Sequence, residues 1–421
     1  MQSASESMPS AAEFGAEIMA RADAAAAFSE PGDGVTRRFA TPEHRKASDL
    51  ILEWMRDAGM EAWVDGIGNT VGRYEGNRPG LPALMLGSHQ DTVQNGGRYD
   101  GMLGVIVAIA CVKALDARGE RLPFAIEVVA FGDEEGLRFG TSLLGSETLA
   151  GTFDISELER VDDDAVSLAQ AMRDFGLDPA AIPSLARRPE DILAYVETHI
   201  EQGPVLEAEG LPLGIVTAIA HSGRLTVGIS GTAGHAGTVP MNRRHDALAA
   251  ACEAVLAIER RCSGIEGLVG TVGKLALAPG AANVIPGEVT FSVDIRAPEG
   301  EVRMGAVRDV CVEIEVIGAR RGVRVRFSDD HHSAGCVCTP WVMDQLEAAV
   351  VAEGIAPRRL PSGAGHDAMA MVDLTAAGML FVRCTGGVSH RPDEAITAED
   401  AGVAARALLR FVRDFRVEES R

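Results

Sequence analysis

The sequence predicts an α/β protein: a mainly parallel, mixed sheet covered by helices, with an inserted ferredoxin-like α+β domain. Three observations carry this. Short apolar stretches alternate with helical periodicity over residues 81–136. Residues 216–330 then run strand, helix, strand, strand, helix, strand, and afterwards the first pattern returns. The chain thus divides into 1–215, 216–330 and 331–421, with the outer two parts forming one domain.

Element by element, the first ten or so residues are small, polar and aperiodic, which predicts disorder. Helices are expected over Ala11–Ala27 and Pro42–Ala58; the second repeats apolar residues at helical spacing and stops at a glycine. Leu81–His89 and Phe124–Gly136 read as buried strands, and Gly101–Leu115 as the buried helix between them. In the insert, "RLTVGISG", "LVGTVGKLAL", "GEVTFSVDIRAP" and "VRVRFSD" read as strands. Its two helices are "RRHDALAAACEAVLAIERRC" and "EVRMGAVRDVCVEIEVIGARRG". A helix at Pro340–Glu353, a strand at Met379–Cys384 and a helix at Ala398–Phe415 close the chain.

The 421 residues carry a formal net charge of −22. Such a surface repels phosphate backbones, which argues against nucleic acid and anionic membranes as partners. An anionic substrate then needs a local basic pocket. No apolar run has membrane-spanning length, and the N-terminus lacks a basic region followed by an apolar one. Seven scattered cysteines without a CxxC pair read as reduced thiols of a cytoplasmic protein.

Ionisable groups collect where strands end. "GSHQDTVQNGGRYDG" carries His89, Asp91 and Asp100; "FGDEEG" carries Asp133, Glu134 and Glu135; "ETHIEQGP" carries His199 and Glu201; "GGVSHRPDE" carries His390. One such loop is ordinary solvated surface, and an acidic run at a helix start is favoured by the dipole. Four loops at the carboxyl edge of one sheet point instead to a shared site. Histidines with carboxylates suit Zn²⁺, Mn²⁺, Co²⁺ or Ni²⁺. Separately, "GTAGHAGTVP" places His235 in a glycine-rich turn, where the backbone can approach a neighbouring cleft closely.

Six blocks in order, "GSHQDTVQNGGRYDG", "DEEGLRFGTSLLGS", "HIEQGPVLE", "GHAGTVPMNRRHDAL", "SGAGHDAM" and "CTGGVSH", carry a family resemblance. They resemble the dinuclear metal amidohydrolases that include allantoate amidohydrolase and N-carbamoyl-L-amino-acid hydrolase, within the aminoacylase and carboxypeptidase G clan. The resemblance implies a catalytic α/β domain with an inserted lid and dimerisation domain. It also implies two divalent metal ions per subunit, Zn or Mn, with Co or Ni as alternatives. Asp100 would bridge them, with His89 and His199 completing one metal and Glu135 and His390 the other. Glu134 would be the general base and Asp91 would orient His89. His235, from the partner subunit of a homodimer, would stabilise the tetrahedral oxyanion. Asn283 and Arg296 would bind the substrate carboxylate, helped by Gln202 and the backbone around Gly363 and Ala364.

The implied substrate is a small ureido acid, allantoate first, cleaved with release of ammonia and carbon dioxide. N-carbamoyl-L-amino acids and N-carbamoyl-β-alanine are the alternatives, with a carboxypeptidase-like peptidase or a non-catalytic metabolite binder more remote. One departure stands out. Family members often have Gly-Gln-Arg-Arg where this chain has "AIAHSGRL", which leaves open whether Arg224 replaces an arginine and whether His221 reshapes the pocket.

Overall fold

Wholly apolar strands need cover on both faces, and this chain supplies it with helices. The computed structural model describes residues 8–418, with the side chains of 329–331 excepted. The expected N-terminal disorder falls on residues 1–7, outside the described residues. Helix Ala11–Ala26 opens with a capping box in which Ser10 and Glu13 satisfy each other's backbone N–H. Helix Pro42–Asp57 starts on the Thr41 hydroxyl with proline in its first turn. Helix Met102–Asp116 is buried on every side from Met102 to Val112. It packs against strands Ala83–His89 and Ile192–Ile200 and against helices Ala11–Ala26 and Ala398–Asp414. An all-round apolar helix can live only in such an interior position.

The large sheet runs, in spatial order, Glu61–Val64, Thr70–Tyr74, Ala125–Phe131, Ala83–His89, Ile192–Ile200, Ala377–Val382 and Leu213–Ile219. Its centre is parallel: Ser88 pairs with Ala130, Met85 with Tyr195, and Phe381 with His199. Its flanks are antiparallel. The carboxyl ends of the four central strands therefore share one edge.

The chain separates into two compact units, one of Met1–Thr217, Cys338–Leu360 and His366–Arg421, the other of Ala218–Val337 and Pro361–Gly365. In the second unit the sheet order is Leu275–Ala278, Glu288–Ala297, His221–Ser230, Arg324–Ser333, with Val269–Thr271 also beside Glu288–Ala297. Helices Ala247–Cys262 and Gly300–Arg321 cover one face, joining Val227, Ile229, Phe291, Val293 and Ile295 to Ala250, Ala254, Val310 and Ile314 in one core.

Two expected strands end differently. "LVGTVGKLAL" is two short strands, because residues 272–274 face only residues 292 and 293 between the pairs Thr271–Asp294 and Leu275–Phe291. The extra residue makes a bulge around Gly273. The strand expected over Phe124–Gly136 stops at Phe131, since Asp133 and Gly136 take φ of 58° and 63°, which no strand accommodates. No described helix is long and apolar enough to cross a membrane.

Candidate metal centre and active site

His89 is the last residue of its strand and His199 the last but one of the neighbouring strand. From the parallel pair Gly87–Glu197, two further residues on each strand bring the two imidazoles together on the same face. Their Nε2 atoms are 3.4 Å apart. Nδ1 of His89 lies 3.1 Å from the Asp91 carbonyl and Nδ1 of His199 lies 2.9 Å from the Ile200 carbonyl. A carbonyl can only accept, so each Nδ1 carries a proton, and in the neutral ring Nε2 is the nitrogen that can bind a metal.

Both Nε2 atoms face Asp100. Its Oδ1 is 3.1 Å from His199 Nε2 and 3.7 Å from His89 Nε2, while its Oδ2 is 3.1 Å from His390 Nε2. Glu135 Oε1 stands 3.6 Å from that same His390 nitrogen. Asp100 thus turns one oxygen to each half of the ligand set. Gly101 makes this possible: a Cβ there would come within 2.4 Å of the His89 ring, and its φ of 65° is left-handed.

The surrounding residues hold these groups in place. The Asp91 carboxylate accepts the N–H groups of Glu134 (3.0 Å) and Glu135 (3.1 Å), so it fixes the acidic loop as well as lying beside His89. Gln202 donates its amide to Asp100 Oδ2 at 3.1 Å and to Ser389 at 3.3 Å. Asp133, Gln202 and His390 all have φ of 58°, a strained backbone concentrated at one place. Glu394, which the sequence reading passed over, accepts the N–H groups of Tyr99 and Asp100 at 2.9 and 3.1 Å and the Ser389 hydroxyl at 3.0 Å. Glu197, two residues before His199 on the same strand face, accepts Ser88 Oγ at 2.7 Å. His366 packs edge-on against the His199 ring, 4.4 Å between centroids. Glu201 turns away and caps Val205 and Leu206 N–H.

The electrostatics call for positive charge. Burial, Glu134 and Asp100 push the Glu135 carboxyl up to about 9. Burial raises Glu134 well above its ordinary value, against the pull of His89. Burial alone would lower His89, yet Asp100, Glu134 and Asp91 outweigh it and raise it well above 6.5. Buried carboxylates crowded this way relax once a cation enters. Asp100 Oδ1 is also buried without a hydrogen bond. His89, Asp100 and His199 form one mutually close donor set, and Asp100, Glu135 and His390 another. These residues fit a divalent metal site.

The other expected site residues lie in the second unit. His235 is exposed and pairs with Val284, next to the exposed Asn283, whose carbonyl accepts Ala236 N–H at 2.9 Å. Arg296 is bound to Asp294 and to the Gly363 carbonyl, and Ala364 N–H is held by Ser362 Oγ at 3.1 Å.

Comparison with known proteins identifies the family. Residues 85–414 match the family described as Peptidase family M20/M25/M40. The chain is 43% identical over 383 residues to an N-carbamoyl-L-amino acid amidohydrolase of Geobacillus stearothermophilus, covering 91% of this chain and 94% of that one. It is 40% identical over 429 residues to allantoate deiminase 1 of Glycine max, covering 94% and 89%. A solved amidase of the hydantoinase/carbamoylase family from Burkholderia multivorans superposes with a TM-score of 0.89 at 30% identity, over 94% of this chain and 96% of that one. The chain therefore belongs to peptidase family M20/M25/M40, as an amidohydrolase acting on non-peptide C–N bonds.

Proposed function

We propose that this protein hydrolyses a linear ureido C–N bond in a small carboxylated substrate, allantoate being the substrate read from the sequence. The observation that carries the reading is the split Asp100 carboxylate, one oxygen toward His89 and His199, the other toward His390. A second reading, an N-carbamoyl-L-amino acid, is favoured by the 43% identity to the Geobacillus stearothermophilus enzyme.

Two divalent ions, Zn or Mn, would be held by His89, Asp100 and His199 and by Asp100, Glu135 and His390. When bound, such ions supply Lewis acidity for a carbonyl and make water easier to deprotonate. Glu134 takes the proton from the attacking water and passes it to the leaving nitrogen. Asp91 keeps His89 and the Glu134–Glu135 amides in register. Arg296 and Asn283 take the substrate carboxylate, with Gln202 and the backbone at Gly363 and Ala364 helping, and His235, supplied across a homodimer, stabilises the oxyanion. Attack at the carbamoyl carbon breaks its bond to the terminal nitrogen and releases ammonia; the N-carboxylate left on the substrate then loses carbon dioxide by cleavage of its remaining C–N bond, giving the free amine.

Ammonia release from allantoate, from several N-carbamoyl-L-amino acids and from N-carbamoyl-β-alanine, with Zn²⁺ or Mn²⁺ supplied, tests this. Turnover of allantoate at the highest kcat/KM supports the first reading, and a carbamoyl amino acid in that place supports the second. Peptide cleavage without ammonia release overturns both.

A further inference from the structure

Arg224 and Asp294 face each other across the paired strands His221–Ser230 and Glu288–Ala297. Arg296, two residues on, shares their face of the sheet. The opposite face belongs to the core, with Leu225, Val293 and Ile295 packed beneath the two helices. The polar face lines a cavity of about 720 Å³ that includes Arg224, Lys274, Asp294 and Arg296. Three cations against one carboxylate make this a locally positive surface on a chain whose net charge is −22.

Asp294 is shared. Its Oδ1 accepts Arg296 Nε at 2.9 Å and its Oδ2 accepts Arg296 Nη2 at 3.2 Å, a two-point grip on one edge of the guanidinium. The same Oδ2 accepts Arg224 Nε at 2.9 Å. Arg296 Nη1 donates to the Gly363 carbonyl at 2.8 Å. A guanidinium has five N–H donors in a fixed plane. These contacts use three of the five donors and leave one N–H on each of Nη1 and Nη2 to offer a carboxylate.

We infer that Asp294 is a positioning residue that locks the Arg296 plane and, with Arg224 on its other side, sets this pocket's preference for a carboxylated ligand. The inference deepens the proposed function and rests on Arg296 being the carboxylate binder. It also gives Arg224 a place, as a second cation on the same acid.

Steady-state kinetics on the full-length enzyme test this with an N-carbamoyl amino acid and the matched amide, in which that carboxylate is neutral. Asp294→Asn, isosteric and able to fold where Asp294→Ala fails, is measured beside Asp294→Ala and Arg296→Ala. Expected is a rise in KM of about tenfold for the acid, less than twofold for the amide, and a much smaller change in kcat. An unchanged or lower KM for the acid overturns the inference, because Asp294 then competes with the ligand. Equal losses on acid and amide also overturn it, as a general effect on folding. If Arg296→Ala keeps the acid-over-amide preference, the carboxylate reading itself fails. If Arg296→Ala loses that preference while both Asp294 variants keep it, that reading stands and the positioning role alone falls.

Discussion

His89 and His199 stand with their Nε2 atoms 3.4 Å apart, each held from behind by a backbone carbonyl. Adjacent parallel strands set that spacing, so the scaffold rather than the loops determines half of the proposed metal site. The remainder is assembled from the Asp133–Glu135 loop and from His390, and its integrity depends on residues that bind no metal.

Glu394 is the clearest of these. It fixes the Tyr99–Asp100 backbone and Ser389 together. Glu394→Gln is expected to weaken metal affinity about 10–100-fold without unfolding the protein. Competition titration with a chromogenic chelator reads this directly, and wild-type affinity in the variant removes Glu394 from the account.

Glu134→Gln separates chemistry from binding. Metal content stays at the wild-type level while kcat falls about 10²–10⁴-fold, because the proton shuttle is lost. A kcat within tenfold of wild type assigns the base elsewhere.

A homodimer with His235 acting across subunits predicts complementation. Equal amounts of His235→Ala and Glu134→Gln, each inactive, recover about a quarter of wild-type activity after subunit exchange, since half the dimers are mixed and each has one intact site. No recovery after exchange is verified by mass spectrometry places His235 outside the active site.

His44 gives a pH signature away from the site. It is buried beside Phe39 and Phe175, and its Nδ1 accepts the Ala40 N–H. Burial, helped by Arg37 and Arg45, holds its pKa down to about 3 against an ordinary 6.5. Between these values the unfolded chain binds the proton and the folded one does not, so stability rises with pH there and falls as pH drops. The loss is roughly 1.4 kcal/mol per pH unit. Urea titrations at pH 7, 6 and 5 should therefore give a shallower decline for His44→Gln than for wild type; parallel slopes exclude a buried neutral imidazole.

Much of this site was legible because apolar runs end abruptly in His, Asp and Glu, as at "LMLGSH" and "VVAFGDEE". The hidden parts have physical causes. Edge strand Glu61–Val64 and its neighbour Thr70–Tyr74 are short and pair antiparallel, with only partial burial at Glu61–Val64, so they lack the apolar signature of the central strands. Glu394 reaches Asp100 across 294 residues of sequence, which no local spacing can reveal. Glu201 has the right chemistry two residues after His199, but the strand ends at Ile200 and alternation stops with it.

Metal stoichiometry tests the central claim most directly. After equilibration with Zn²⁺ or Mn²⁺ and removal of free ion, elemental analysis should find two ions per wild-type chain, falling below one in Asp100→Ala. A wild-type chain that stays empty, or an Asp100→Ala chain that still holds two ions at wild-type affinity, contradicts the account.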